Sequence, residues 1–137
     1  MKILIDKEFV DSLFADASKS PRRRQNYDLR NSNEDTSQRM LNALMPGTDV
    51  PIHRHENTTE TIVCLTGKLE EIVYDSDVVI GNDGIETINF KEKYRYLICP
   101  TQGVYGMQIP AGVWHTVHVI EPSVIFEAKD GAYIPSK

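Results

Sequence analysis

No stretch of this sequence approaches the roughly 18 consecutive apolar residues that a membrane span requires. Met1-Lys2-Ile3-Leu4-Ile5 is cut off by Asp6, Lys7 and Glu8, too early for a signal-peptide core. A cytoplasmic protein is the expectation. Cysteine is scarce: Cys64 and Cys99 stand alone, each inside an apolar, strand-like run, and two cysteines make no disulfide framework. Both are expected as buried, reduced thiols that act as small hydrophobes. Positive charge is also short, with 15 Lys and Arg against 20 Asp and Glu and a formal charge of −5. That balance speaks against a general nucleic-acid binder, which needs clustered cations for the phosphate backbone. Internal repeats and low-complexity tracts are lacking as well. At 137 residues the chain fits one domain.

What is present begins with a helix. Phe9, Val10, Leu13, Phe14 and Ala17 form one apolar stripe over 6–18, with Asp6 as N-cap and Pro21 limiting extension. Residues 21–37, rich in Arg, Asn, Asp and Ser, read as an extended arm or loop. After them come short apolar or alternating runs near 39–45, 50–55, 60–66, 69–75, 77–80, 85–90, 94–99, 104–109, 114–120 and 123–128. Pro46-Gly47, Gly67-Lys68, Asn82-Asp83-Gly84, Gly103 and Pro110-Ala111-Gly112 are the expected turns. Many short strands after one helix indicate an antiparallel sandwich or barrel. The organisation expected is helix and arm over 1–37, barrel over 38–130 and a tail over 131–137.

The chemistry concentrates in Gly47-x5-His53-x-His55-x4-Glu60-x6-Gly67. Alternate residues of a strand share a face, so His53 and His55 point together, with Cα atoms about 7 Å apart, while Arg54 points away. Two imidazoles so placed can converge on one ion. Glu60 opens the next strand and can turn back towards them, whereas Glu56 would point away. A third imidazole comes from His115, which follows the Pro110-Ala111-Gly112 turn with Val117 and Val119 on its face. Pro is expected at the second position of that turn and Gly at the fourth. His118 lies on the opposite face with Trp114 and Thr116. His53, His55, Glu60 and His115 are the expected metal ligands.

These two segments resemble the two motifs of the cupin superfamily. The first fits at every fixed position. In the second, Pro110, Gly112 and His115 match, the leading glycine is displaced to Gly103 or Gly106, and Val119 stands where the family has Asn. More narrowly, the chain resembles the WbuC family of cupin-fold metalloproteins. The resemblance rests on Ser20–Arg24 with Asn26, Gln38–Leu44, Pro51–His55, Ile109–Thr116 and Phe126–Tyr133. It implies a mainly all-β, antiparallel cupin, a double-stranded β-helix (jelly-roll) barrel with a short N-terminal helix. It also implies a context, since WbuC members often occur in bacterial O-antigen or capsule gene clusters.

Three imidazoles and a carboxylate suit one divalent transition metal ion: Zn, Mn, Fe, Ni or Co. Ile62, Cys64, Val117 and Val119 are expected to line the pocket beside them, with Cys64 as small filler rather than a fifth ligand. Arg22, Arg23, Arg24 and Asn26 are candidate substrate contacts, since arginine suits two-point contacts with phosphate or carboxylate. Glu127 and Lys129 are expected as an outer-surface ion pair, and Trp114 as outward-facing, packed in a subunit contact or under the helix. The functional expectation is a metal-dependent enzyme on a small sugar or nucleotide sugar in surface-polysaccharide synthesis, isomerising or epimerising it. An Fe(II)-dependent dioxygenase is the alternative on the same ligands. A non-catalytic sugar-binding or regulatory module is the alternative from another class. A homodimer through barrel edges or the apolar face of helix 6–18 is the expected assembly, with neither nucleic acid nor membrane as partner.

Overall fold

The computed structural model describes residues 1–134. Helix α1, Lys7–Lys19, starts where expected, because Asp6 is extended and accepts a 2.9 Å hydrogen bond from the Phe9 amide. Its stripe of Phe9, Leu13 and Ala17 packs on Leu41, Ala43 and Val124 of the sheet. Phe9, Leu13 and Ala17 of the apolar helix face are therefore covered by the helix's own chain, while Val10 and Phe14 are only partly buried. Asp6→Ala should cost about 1 kcal/mol, read as a shift in the urea midpoint.

Among the described residues six strands follow: β1, Arg24–Asp28; β2, Ser37–Leu44; β3, Glu60–Ile80; β4, Glu86–Ile98; β5, Gly106–Ile109; and β6, Trp114–Asp130. They form an antiparallel sheet in the order β1-β2-β6-β3-β4, with β5 paired to β3. The result is the mainly β jelly-roll that the resemblance implied.

Three details correct the sequence reading. Residues 21–37 are not all loop, since β1 pairs with β2. This edge strand needs little apolar sequence: Tyr27 packs edge-on to Phe9, with ring centroids 4.9 Å apart. Residues 50–55 form no strand, only a bridge between His53 and His115. The expected breaks at Gly67-Lys68 and at Glu121-Pro122 do not end strands. β3 runs on through 21 residues and β6 through 17.

The Gly67 region is instead a set of bulges, with register shifts between Cys64 and Thr66, Thr66 and Lys68, and Lys68 and Leu69. A bulge adds an unpaired residue and reverses which parity faces inward. Before it Glu60, Ile62 and Cys64 are buried; after it Leu69 and Glu71 are. Gly67 has φ +113°, and a Cβ there would overlap Ser123 Oγ and stand 2.5 Å from Pro122 O. Leu44, Ile62, Cys64, Leu69, Ile98, Val119 and Ile125 form the barrel core.

Beyond the barrel, β3 and β4 continue as a two-stranded ribbon. Tyr74, Val78 and Ile80 share one face with Ile88 and Phe90, while Asp75, Asp77, Thr87 and Asn89 take the other. Val78 and Ile80 are 63% and 66% exposed, so nothing described covers the far end of this apolar face. At its near end Phe90 lies 5.0 Å from Trp114, between ring centroids. Trp114 is on the outer side, as expected, but Phe90 and the Arg54 guanidinium cover it, not the helix.

Candidate metal centre

The site is built where an irregular segment crosses a regular strand. His53 and His115 exchange backbone hydrogen bonds, N–H to O, at 3.0 and 2.9 Å. This places His53 and His55 against the first residues of β6. The preceding turn closes with Val113 N–H donating to Pro110 O at 3.2 Å. Gly112 is therefore its third residue, with φ +81°, one position earlier than the sequence suggested. A left-handed φ at the third position is what glycine supplies there.

The nitrogens of His53, His55 and His115 lie within 4.8 Å of one another. His53 Nδ1 donates to Pro51 O at 2.8 Å and His115 Nδ1 to Val113 O at 2.9 Å. A carbonyl oxygen only accepts, so each Nδ1 carries the proton and each Nε2 presents a lone pair. Burial lowers the pKa of both rings, His115 to about 4, so both are neutral near pH 7. Neutral imidazole is the form that ligates.

Glu60 opens β3 and is 3% exposed. Its Oε2 stands 2.9 Å from His55 Nε2 and 3.8 Å from His115 Nε2. The same oxygen receives no well-directed hydrogen bond. Burial works against its ionisation, yet His55, Lys129 and Glu127 outweigh that and hold the carboxyl down at about 2. A buried anion with an unsatisfied oxygen beside three imidazoles fits a divalent cation.

Other expected site residues sit elsewhere. Ile62, Cys64 and Val119 are closed into the core, so the apolar pocket expected there is filled by packing. Val117 packs partly against that core and borders a 40 Å³ cavity behind the imidazoles. The Cys64 thiol donates to Thr66 O at 3.3 Å, burial raises its pKa to about 11, and it is not part of the imidazole cluster. Arg23 bonds Ser18 O and Arg24 bonds Asp49 O, both through the guanidinium. Arg22, in the turn before β1, and Asn26, on β1, are exposed. Among the described residues, none of these four lines either cavity next to the histidines.

Glu127 and Lys129 are not an outer-surface pair. Glu127 borders the cavity shared with His53, Glu60, Glu71 and His115, and Lys129 Nζ reaches within 3.8 Å of Glu60 Oε2. They share one strand face, as alternation implies, but which way that face points rests on the register shifts between β3 and β6. The bulge in β3 likewise decides the face of Glu71.

Burial, with the nearby Glu60 charge, raises Glu127 from 4.5 to about 8, and burial raises Glu71 in the same direction. A carboxyl raised in this way keeps a proton that the unfolded chain loses above pH 4.5, so its contribution to stability falls as pH rises through that interval. His115, lowered from 6.5 to about 4, does the reverse: its contribution is present above pH 6.5 and is lost as pH falls towards 4. Metal-free protein should therefore lose stability as pH rises from 6.5 to 8. Glu127→Gln should flatten that slope in urea titrations; an unchanged slope would refute the assignment.

A second cavity, of about 280 Å³, opens on the other side of the imidazoles, lined by Gln38, Arg54, His55, Thr58, Lys129 and Gly131 among others. It connects the outside to His55.

Comparison with known proteins adds the following. The family described as Domain of unknown function (DUF6016) matches residues 5–83. No curated protein matches the chain. The fold is similar to oxalate oxidase in complex with the substrate analogue glycolate, at 13% identity and TM-score 0.62, covering 88% of this chain and 57% of that one. It is similar to Bacillus subtilis oxalate decarboxylase, studied for its Mn(II) centres, at 22% identity and TM-score 0.53, covering 83% and 27%. CapF with the inhibitor 3-isopropenyl-tropolone gives 16% identity and TM-score 0.59, covering 85% and 30%. The chain thus spans little more than half of the first of these proteins and under a third of the other two. At such identities the likeness shows the fold, which is that of the cupins.

Proposed function

The chain belongs to the family described as Domain of unknown function (DUF6016), and from that premise and its cupin fold we propose a metal-dependent enzyme acting on a small polar metabolite. The ligands are His53, His55, Glu60 and His115, and the ion is a divalent transition metal. The observation that carries this reading is the convergence of three imidazole nitrogens within 4.8 Å, two of them with lone pairs fixed by backbone carbonyls. When bound, such an ion polarises a carbonyl or hydroxyl oxygen, or acidifies a bound water.

The protein's own groups do the rest. Glu60 supplies the negative charge, and Glu127 in its protonated form donates to it. Arg54, stacked 4.6 Å from the Trp114 ring centroid and 2.9 Å from Glu56 Oε1, fixes the segment that carries both His53 and His55. The 280 Å³ cavity gives access from the His55 side and lies just below the range of about 300–1,000 Å³ found for drug-sized ligands.

The resemblance to WbuC cupins supports a sugar or sugar derivative of surface-polysaccharide synthesis, converted by isomerisation or epimerisation. The cavity favours a molecule of single-sugar size over a whole nucleotide sugar. Elemental analysis of protein purified without added metal identifies the ion. Incubation of the loaded protein with a sugar and nucleotide-sugar panel, followed by NMR, tests turnover. A metal-free protein that takes up no ion on titration would end this reading, and iron with oxygen consumption would replace isomerisation by dioxygenation.

A further inference from the structure

The barrel interior holds a cation that ion ligation does not use. The Lys129 side chain is 10% exposed, and its ammonium makes one ion pair, with Glu60 Oε2 at 3.8 Å, which is beyond hydrogen-bond range. Among the described residues it donates no hydrogen bond. The ammonium, which borders a cavity, therefore has no protein acceptor within hydrogen-bond range. Once Glu60 shares its charge with a divalent ion, Lys129 faces a dication across the same carboxylate, and an anion between them relieves that repulsion.

Lys129 also borders the 280 Å³ cavity that leads to His55, together with Gln38, Asn57 and Thr58 as neutral polar groups. We propose that Lys129 is the recognition cation for a small carboxylate, which enters through this cavity with one oxygen towards the imidazole cluster and another on Lys129 Nζ. The inference rests on the metal reading above and narrows its substrate class from polar metabolites to hydroxy acids or sugar acids. A carboxylate suits the site better than a phosphate. Glu56 and Asp130 line the same cavity, and they disfavour an anion of higher charge.

The test uses glycolate, the smallest carboxylate bearing a hydroxyl, and ethylene glycol as its neutral counterpart. Metal content of the wild-type and variant proteins is measured first, then binding by calorimetry. Wild-type protein should bind glycolate at least tenfold more tightly than ethylene glycol. Lys129→Gln should lose at least tenfold in glycolate affinity at unchanged metal content, and Arg30→Gln, altered at an exposed ion pair, should lose none. Independently of any variant, glycolate should slow acetylation of Lys129 in wild-type protein and leave Lys93 unaffected. Undiminished glycolate binding in metal-replete Lys129→Gln would overturn this inference alone, as would equal affinity for the two probes or unprotected Lys129. A wild-type protein that takes up no metal would overturn the metal reading and this inference with it.

Discussion

His115→Ala protein should show metal affinity reduced about hundredfold or more, while His118→Ala keeps the wild-type value. Even groups that merely orient a metal-bound histidine change affinity by about 10–100-fold, and a lost ligand costs at least as much. His115 is 3% exposed, faces the cluster and presents Nε2 to it. His118, three residues on, points out and bonds Glu70 Oε1 at 3.0 Å. The pair therefore separates a role in the cluster from the mere presence of histidine on β6. Stability gives a second readout. A metal at a hundred times its Kd adds about 2.7 kcal/mol to a folded state that alone binds it. For a chain of this length that is roughly 10 °C in Tm. The increment should vanish in His115→Ala and persist in His118→Ala. Equal metal content in the two variants would remove His115 from the site.

Gly67→Ala should damage the barrel severely for a single added methyl, lowering stability by about 3 kcal/mol or more. Two effects add. The φ of +113° is one that side-chain-bearing residues rarely adopt, and the new Cβ would press into Ser123 and Pro122 of β6, which are backbone-anchored and cannot withdraw. Gly47→Ala separates the two. Gly47 has φ +90° but no atom within 4 Å of an added Cβ, so it should cost only the backbone strain, about 1–2 kcal/mol. Urea unfolding of both variants reads the difference. A Gly67→Ala protein no weaker than Gly47→Ala would mean that β3 and β6 separate readily at the bulge, contrary to their close approach here.

Both glycines, and the histidines between them, were visible as a spaced pattern before any fold was known. The pattern works because its parts are local. The His53-x-His55 pair shares a side through backbone alternation, and Pro51 O reaches back to His53 Nδ1 within the same segment. The helix was legible for the same reason: a cap and a stripe over 13 residues need no distant partner. The edge strand β1 was not legible, because its one inward aromatic, Tyr27, has meaning only once Phe9 lies beneath it. The expected separation of 114–120 from 123–128 failed in the other direction, because β6 runs on through 121–122 with shifted registers against β3.

Sequence alone determined the histidines that converge, their two segments and the antiparallel β character, since each depends on spacing within a short stretch. Tertiary structure decided what surrounds them. The bulges at Gly67 reverse the parity of β3 and turn Glu71 inward. The unbroken β6 carries Glu127 and Lys129 to the same interior, where burial changes their protonation or leaves their charge seeking a partner. Which carboxylates and which ammonium share the cavity depends on register between strands some fifty residues apart, a quantity that no local pattern encodes.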